Sequence, residues 1–171
     1  MKTFLLSVAL AGFATSASAL ELSSPDIREG AQIGKEQVYT RCGGSNVSPA
    51  LSWRAAPAGT KSFALTAIDT SVAPNEWSHW IVVDLPPTVT SLGKGAALPA
   101  GAKSLMTDFG DAAYGGPCPP PGSGVHHYIF TIWALPTATA QLPAKTNAKE
   151  LSAALTKQAL AKASITGTYQ R

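Results

Sequence analysis

The sequence has few charged side chains, and their scarcity excludes several classes of protein. Asp, Glu, Lys and Arg make up 13% of the 171 residues, against roughly 25% in an average globular protein. Thirteen basic and ten acidic residues give a net charge of +3, and no block of like charges occurs. A nucleic-acid-binding protein carries a clustered basic patch, so we exclude nucleic acid as a partner.

The sequence also lacks the short motifs of common enzyme classes. It contains no G-x-S-x-G motif of a nucleophilic serine, no phosphate-binding loop and no dinucleotide-binding motif. No two histidines have the i, i+4 spacing of a helical metal site, and two cysteines are too few for structural zinc. We therefore expect neither a cofactor nor a metal ion.

No hydrophobic run is long enough to cross a membrane, which takes about 20 apolar residues. At the N-terminus, Lys2 precedes a short apolar stretch at residues 4–13, and the A-S-A at residues 17–19 matches a cleavage site. This pattern predicts a signal peptide over residues 1–19, with an uncleaved membrane tether as the alternative. We expect a periplasmic or secreted protein with one domain over residues 20–171.

Several segments have the composition of β-strands, being rich in Val, Ile, Thr, Phe and Trp and bounded by Gly, Pro or Ser. They lie at residues 36–41, 61–69, 78–85, 127–135 and 164–169. One segment predicts a helix, because Asn147 and Glu150 form a capping-box pattern and Leu151 and Leu155 share a face. The predicted fold class is mainly β with a C-terminal helix.

Strand alternation places polar side chains at one end of the predicted sheet. Asp69 ends one strand and His79 opens the next, so an antiparallel hairpin with residues 70–78 as its loop brings them to the same end. His126 and Tyr128 open a third strand on one face, after a Gly/Pro loop. In the second strand, alternation predicts one face that is shared by Trp77, His79, Ile81, Val83 and Leu85.

Asp69, His79, His126 and Tyr128 therefore form a candidate polar pocket. Alternatively, these side chains satisfy backbone groups at strand ends. One Asp with two His also matches a facial metal triad or an acid/base pair. Cys118 with a His partner is a further candidate nucleophile, although three prolines follow it and no helix N-terminus is at hand to activate the thiol.

The Gly/Pro-rich loop at residues 114–122 is the least ordinary stretch of the chain. Proline restricts the backbone and glycine permits tight turns, so the segment predicts a stiff connection. The N–H groups of such a loop can also form a nest for an anion. The loop contains Cys118, and its pairing with Cys42 in a disulfide is an alternative to two free thiols in an oxidising compartment.

Three motifs in order resemble the phosphatidylethanolamine-binding protein family, in its bacterial Raf-kinase-inhibitor-like branch. Residues 46–53, N-V-S-P-A-L-S-W, are similar to the family's N-x-S-P-x-L-x-W segment. Residues 114–120 look like its Y-x-G-P-C-P-P loop, and residues 124–128, G-V-H-H-Y, look like its G-x-H-R-Y motif. Asp69 and the W-S-H-W at residues 77–80 fall where the family has its D-P-D-x-P acid and its W-x-H-W histidine.

The resemblance implies a β-sandwich-like fold with short peripheral helices and a pocket for phosphate or phospholipid head groups, without established catalytic turnover. Carried over by position, the ligand-binding residues are Asp69, His79, His126 and Tyr128, with Gly116, Pro117 and Pro119 as a wall. Family members also inhibit or modulate kinases and proteases, so a protein partner of this kind is the alternative function. A metal-dependent hydrolase is the third.

Two departures from the family motifs affect the expected ligand. Where the family has D-P-D-x-P, residues 69–74 read D-T-S-V-A-P, so the second carboxylate is missing, and His127 replaces the arginine of G-x-H-R-Y. We expect a less negative pocket in which imidazole N–H groups and the Tyr128 hydroxyl hold a small anion. Because a protonated histidine binds an anion more strongly, affinity is expected to rise as the pH falls through about 6.5.

Overall fold

The structure, a computed structural model, describes residues 19–143 and 147–171. Except for Ala19, the predicted signal peptide lies outside the described residues. A 3₁₀ helix is present at Thr40–Cys42. The other elements are β1 (Glu21–Ser23), β2 (Leu51–Arg54), β3 (Ser62–Asp69), β4 (Trp77–Leu85), β5 (Ser91–Leu92), β6 (Lys103–Ser104), β7 (His126–Leu135), α1 (Ala148–Gln158) and β8 (Ala161–Tyr169). The predicted class, mainly β with a C-terminal helix, is confirmed.

The strands form two antiparallel sheets. The larger has the strand order β6-β4-β3-β7-β8, and the smaller has the order β1-β2-β5. β3 and β4 form the predicted hairpin, and β7 pairs with the other side of β3 up to the Asp69↔Tyr128 pair. The end of β3, the start of β4 and the start of β7 therefore lie side by side at one end of the larger sheet.

The main core lies between the two sheets, as in a β-sandwich. Leu51 and Trp53 of the smaller sheet share one apolar cluster with Phe63, Leu65 and Phe130 of the larger sheet. The rings of Trp53 and Phe63 meet edge to face, with centroids 5.6 Å apart. This contact fixes the smaller sheet on one face of the larger one.

Helix α1 covers the opposite face of the larger sheet. Its Leu151 and Leu155 form a second apolar cluster with Ile81, Val83 and Trp133. β3 is consequently covered on both faces, and all eight of its residues are buried. Burial on both sides explains why the sequence of β3 is a nearly continuous apolar run rather than an alternating one.

The start of α1 has the predicted capping box. The Asn147 side chain accepts a hydrogen bond from the Glu150 N–H at 2.9 Å, and the Glu150 carboxylate accepts one from the Asn147 N–H at 3.3 Å. These bonds satisfy N–H groups that have no partner within the helix. Like every helix in the described residues, α1 lacks the length and apolarity of a membrane span.

The strand predicted at residues 36–41 is wrong. The segment forms turns and the start of the 3₁₀ helix, because loops take up its backbone hydrogen-bonding groups. The Tyr39 N–H donates to the Pro117 carbonyl at 3.1 Å, and the Val38 carbonyl accepts from the Asn46 N–H at 2.8 Å. Val38 is fully buried, so the apolar pattern reflects burial under loops rather than strand pairing.

Two irregularities in the β3–β4 pairing change which side chains share a face. Ala67 pairs with Trp80 and Ile68 with Ser78, so His79 between them has no opposite residue. A second register shift lies near Asp84, whose φ is +58°. The predicted single face from Trp77 to Leu85 is therefore wrong: Ile81 and Val83 contact the α1 cluster, whereas Leu85 lies in the core between the sheets.

Candidate functional site

The structure brings Asp69, His79, His126 and Tyr128 together at one end of the larger sheet. Asp69 pairs with Tyr128 across β3 and β7. The Tyr128 ring lies 5.0 Å from the His79 ring and 6.5 Å from the His126 ring, measured between centroids. All four residues are buried. The four thus form one cluster rather than separate strand-end contacts.

The cluster lines a pocket of about 300 Å³, whose remaining wall is apolar. Trp77 and Phe109 meet edge to face on one side, with ring centroids 6.0 Å apart. Trp77 is partly exposed. The pocket therefore joins a buried polar cluster to an aromatic and proline-rich wall that is made of Val72, Trp77, Phe109, Cys118, Pro119 and Pro120.

His79 reaches this pocket through the irregularity in β4. A bulged strand carries an extra residue, which re-aims a neighbouring side chain, and here it lets His79 contact Tyr128 while the next residue, Trp80, enters the core. The Nδ1 atom of His79 lies 2.6 Å from the Gly115 carbonyl oxygen. A carbonyl oxygen only accepts, so Nδ1 carries the hydrogen.

His79 is therefore held as a neutral ring. Burial is the largest influence and lowers the pKa of His79, against the opposing effects of hydrogen bonding to the Gly115 and Gly116 backbone and of the Asp69 and Asp108 charges. With the hydrogen on Nδ1, the other ring nitrogen, Nε2, is a hydrogen-bond acceptor. No hydrogen bond engages Nε2 within residues 19–143 and 147–171. Nε2 is thus free to accept from a ligand.

His126 is held at both ring nitrogens. Its Nδ1 lies 2.6 Å from the Asp69 carboxylate, and its Nε2 lies 3.0 Å from the Ser123 hydroxyl oxygen. The Ser123 hydroxyl itself donates to the Pro120 carbonyl at 2.8 Å, so its single hydrogen is already used. His126 therefore has a partner at each of its ring nitrogens, and Asp69 is one of them.

Ser123 is a further residue of the site that the sequence analysis did not predict. Gly122 and Gly124 on either side have φ values of 78° and 88°, a left-handed conformation that favours glycine. They fold the loop back so that Ser123 meets the ring of His126 three residues later. A serine between two glycines just before a strand-opening histidine is the signal that points to this contact.

Tyr128 holds a buried hydroxyl beside Asp69. In the described part of the chain this hydroxyl forms no hydrogen bond of regular geometry, and its contact with the Asp69 carboxylate is a weak one. Burial, and next the Asp69 charge, raises the pKa of Tyr128 well above its ordinary value, so the hydroxyl keeps its proton and acts as a donor.

Gly116 and Pro117 do not line the pocket, contrary to the wall that the resemblance implies; Pro119 does. Gly116 packs directly on the backbone behind the pocket, where a Cβ atom would overlap the Gln37 carbonyl. Its N–H donates to the Asn46 side chain at 2.7 Å. Pro117 accepts a backbone hydrogen bond. These two residues anchor the loop.

The same loop is linked to the 3₁₀ helix through its cysteine. Cys42 and Cys118 are joined in a disulfide, with Cα atoms 5.5 Å apart. Cys118 also lines the pocket. A sulfur in a disulfide is not a thiolate nucleophile, and the alternative of Cys118 as a catalytic residue therefore has no support in this geometry.

The three acid and histidine residues do not present a metal site. Within the described residues, no group of three or more His, Cys, Asp or Glu side chains is arranged to hold a metal ion. Asp69 and Ser123 occupy both nitrogens of His126, and Gly115 takes one nitrogen of His79. Of the four ring nitrogens of the two histidines, only Nε2 of His79 lacks a partner in the described residues, and a facial triad needs three ligands.

Comparison with known proteins gives a consistent result. The model of the family described as phosphatidylethanolamine-binding protein matches residues 23–170. The chain is 39% identical to the UPF0098 protein YbcL of Escherichia coli, over 99% of each chain. It is 37% identical to the putative lipoprotein LppC of Mycobacterium tuberculosis, covering 92% of this chain and 75% of LppC.

Two solved structures have the same architecture. The crystal structure of Escherichia coli YbcL, described as a new member of the mammalian PEBP family, aligns with a TM-score of 0.80 at 38% identity over 90% of this chain and 99% of that one. A carboxypeptidase Y inhibitor, solved with its cognate proteinase, aligns with a TM-score of 0.57 at 17% identity over 90% and 83% of the two chains. At 17% identity, the similarity to the carboxypeptidase Y inhibitor shows a shared fold only.

Proposed function

The chain belongs to the phosphatidylethanolamine-binding protein family, and on this premise we propose that it is an exported, non-catalytic protein that binds a small anionic or phosphorylated group. The observation that carries the proposal is the cluster of Asp69, His79, His126 and Tyr128 in one pocket. The Nε2 atom of His79 is an acceptor that no hydrogen bond engages in the described residues. The Tyr128 hydroxyl is a buried donor that Asp69 holds only weakly, so a ligand oxygen that reaches it can take its hydrogen bond.

The apolar wall fits such a ligand. Small-molecule pockets are mostly apolar, with a few polar groups that fix orientation, and here Trp77, Phe109 and Pro119 surround the polar cluster. A phosphoryl group bonded at Tyr128 and His79 has its organic part next to these side chains. The pocket volume of about 300 Å³ suits a head group rather than a complete lipid.

The hydrogen-bond directions argue against catalysis. The hydrogen bonds link Asp69 to His126 and His126 to Ser123. This is the order of a hydrolytic triad, in which the histidine accepts the serine proton. In this protein the Ser123 hydroxyl has the Pro120 carbonyl as an acceptor at 2.8 Å, closer than the 3.0 Å to Nε2 of His126. A hydroxyl held by a carbonyl is not aligned to give its proton to a histidine, so we propose a binding role and expect no phosphate release from a phosphate monoester.

Export is proposed from the N-terminal sequence pattern and the cysteine pair. The A-S-A site at residues 17–19 follows an apolar stretch, and disulfides persist in oxidising compartments. The similarity to a protein named as a lipoprotein supports an envelope location. The working compartment is then the periplasm or the exterior.

The test is a native mass spectrum of the protein purified from its own host without added ligand. We expect a fraction of the protein to retain a small molecule that carries an acidic group and that leaves on mild activation. Tyr128→Phe, isolated in the same way, should lose that adduct. An adduct equally abundant in the variant would contradict the proposal.

Inhibition of a protease is the second candidate, supported by the fold shared with the carboxypeptidase Y inhibitor. Trp77, at the pocket mouth, is a partly exposed large apolar residue, of the kind enriched at protein interfaces. Assays of carboxypeptidase Y with and without the purified protein test this candidate. Inhibition that Trp77→Ala removes would support it.

A further inference from the structure

We propose that the outer face of the larger sheet carries a second binding site, a groove for a neutral saccharide. Alternation along β7 turns Tyr128 and Phe130 toward the core between the sheets, whereas Thr131 and Trp133 face the opposite side. Among the described residues, the groove and the pocket share no lining side chain. Binding in this groove therefore goes beyond the proposed function.

The floor of the groove is a row of three hydroxyl side chains on neighbouring strands. Thr66 of β3 pairs with Thr131 of β7, and Thr131 pairs with Ser164 of β8. Because adjacent strands lie about 4.8 Å apart, the three hydroxyls cross the sheet at regular spacing. Helix α1 adds the hydroxyls of Ser152 and Thr156 at one wall. These five residues define the hydroxyl groove.

The hydroxyl groove is present because α1 covers only part of this face. The apolar side chains of the helix, Leu151 and Leu155, pack in one cluster with Trp133. The next residue of β7 on the same face is Thr131, where the apolar cover ends. The space between helix and sheet has a volume of about 340 Å³, which is within the range of about 300–1,000 Å³ that is usual for small-molecule sites.

Hydrogen bonds within the protein use only part of what these hydroxyls offer. The Trp133 Nε1–H donates to the Thr66 hydroxyl oxygen at 3.1 Å, and the hydroxyl oxygens of Thr131 and Ser164 lie 2.9 Å apart, so that one donates to the other. Each hydroxyl has a single hydrogen and two lone pairs. The exposed Ser164 opens the row to solvent. Donors and acceptors therefore remain for a ligand.

Two of the hydroxyls lie at buried positions. The exposed fraction is 1% for Thr66 and 5% for Thr131. Burying a hydroxyl that lacks its full set of hydrogen bonds costs free energy, so stability alone favours an apolar side chain of similar size at such positions. A ligand that completes these hydrogen bonds gives the buried threonines a function at the floor of the groove.

The lining points to a neutral ligand that has hydroxyl groups of its own. Only groups that both donate and accept can match a row of hydroxyls in either direction. The charged side chains in the described lining are Glu76 and Lys162, of opposite sign, so neither anions nor cations are favoured. Ile68 and Ile129 pair in the row next to the hydroxyls. A saccharide combines hydroxyls with apolar C–H ring faces, and thus fits both rows.

The test follows the indole N–H signal of Trp133 by NMR of ¹⁵N-labelled protein, because this group donates to Thr66 in the floor. The probes are cellobiose and maltose, two neutral disaccharides of different shape. We expect at least one of them to shift the Trp133 signal saturably, with a Kd on the order of 1 mM, as a few neutral hydrogen bonds imply. The indole signals of Trp53 and Trp80 should not move, and Trp133→Phe identifies the reporter signal.

The decisive variant is Thr131→Val/Ser164→Ala, which removes both partners of one hydrogen bond and therefore costs little stability. We expect the disaccharide to bind it at least about fivefold more weakly, since each neutral hydrogen bond contributes a factor of about 2 to 12. The matched control is Ser91→Ala, at an exposed serine of the smaller sheet, which should keep wild-type affinity. If the double variant does not fold in thermal melts, Ser164→Ala alone should weaken binding at least about twofold.

Three outcomes would overturn the saccharide site. The Trp133 signal that moves with neither disaccharide would mean that the hydroxyl groove holds water only. Equal affinities of the wild type and the folded double variant would mean that the hydroxyl row does not contact the ligand. Shifts confined to the Trp77 indole would place the disaccharide in the pocket instead, because Trp77 lines the pocket and not the groove.

Discussion

Ser71 and His127 are hydrogen-bonded to each other: the backbone N–H of His127 donates to the Ser71 hydroxyl oxygen at 3.0 Å, and the ring Nδ1 lies 3.3 Å from the same oxygen. These two residues occupy the positions where the sequence departs from the family's D-P-D-x-P and G-x-H-R-Y motifs. The two residues that differ from the family motifs therefore contact each other. Neither side chain lines the pocket, so the missing acid changes the pocket less than the sequence led us to expect.

The hydrogen bonds between Ser71 and His127 predict that substitutions at these two positions have non-additive effects on the free energy of unfolding. In Ser71→Asp/His127→Arg the new carboxylate and guanidinium can form an ion pair, which at an exposed site contributes about 0.2–1 kcal/mol. Urea unfolding of the wild type, the two single variants and the double variant measures this coupling. Strictly additive effects would show that the positions are independent. Binding of ethyl phosphate should change less than about twofold in all variants, since no charged hydrogen bond to the ligand is lost.

Burial of His79 predicts that stability falls in acid. The pKa of His79 is lower in the folded protein than in the unfolded chain, where it is about 6.5. The unfolded chain therefore binds more protons below that pH, so the stability present above about 6.5 is lost as the pH falls toward the folded-state pKa. The free energy of unfolding should decline less in His79→Gln than in the wild type between about pH 7.5 and about pH 5.

The matched control for this measurement is His127→Gln, which makes the same chemical change at an exposed ring. It should follow the wild-type decline. If His79→Gln and His127→Gln lose stability in parallel with the wild type, then the titration of His79 does not contribute to the pH dependence.

The pairing of Cys42 with Cys118 predicts a protein without free thiols. Thiol labelling under denaturing, non-reducing conditions should detect none per chain. The bridge spans 76 residues of sequence, and a disulfide typically contributes about 2–4 kcal/mol, so reduction should lower the urea midpoint accordingly. Two labelled cysteines per chain in the protein as purified would rule the bridge out.

Cleavage of the signal peptide is predicted between Ala19 and Leu20, after the A-S-A site. The intact mass of the exported protein should correspond to residues 20–171. A mature form that begins at Met1 would contradict export by cleavage. A form anchored in the membrane by residues 1–19 would favour the tether instead.

The long elements were predictable because their signals are local. The strands that became β3, β4 and β7 are rich in β-branched and aromatic residues, and the Asn147–Glu150 cap of α1 depends on residues three positions apart. The short strands β1, β2, β5 and β6 have only two to four residues each. Such lengths leave no alternation to detect.

The site was predictable as a cluster but not in its details. Alternation and the predicted hairpin bring Asp69 and His79 to one end of the sheet, and the family resemblance adds His126, but neither reveals the irregularity at His79, which depends on register with β3. The role of Ser123 depends on two glycine conformations. The tautomer of His79 depends on the carbonyl of Gly115, 36 residues away in sequence. The contact at His79 is long-range and has no local sequence signal, whereas the contact of Ser123 is local and its two flanking glycines indicate it.

The most direct test of the binding pocket is the affinity of Tyr128→Phe for ethyl phosphate at about pH 5.5, compared with Tyr169→Phe, which removes a hydroxyl outside the pocket lining. We expect Tyr128→Phe to bind at least about tenfold more weakly, because a charged hydrogen bond contributes about 1.5–3 kcal/mol. Its free energy of unfolding should change little, since within the protein the lost hydroxyl has only a weak contact with Asp69. Tyr169→Phe should keep wild-type affinity. Undiminished affinity in a folded Tyr128→Phe protein would contradict the account.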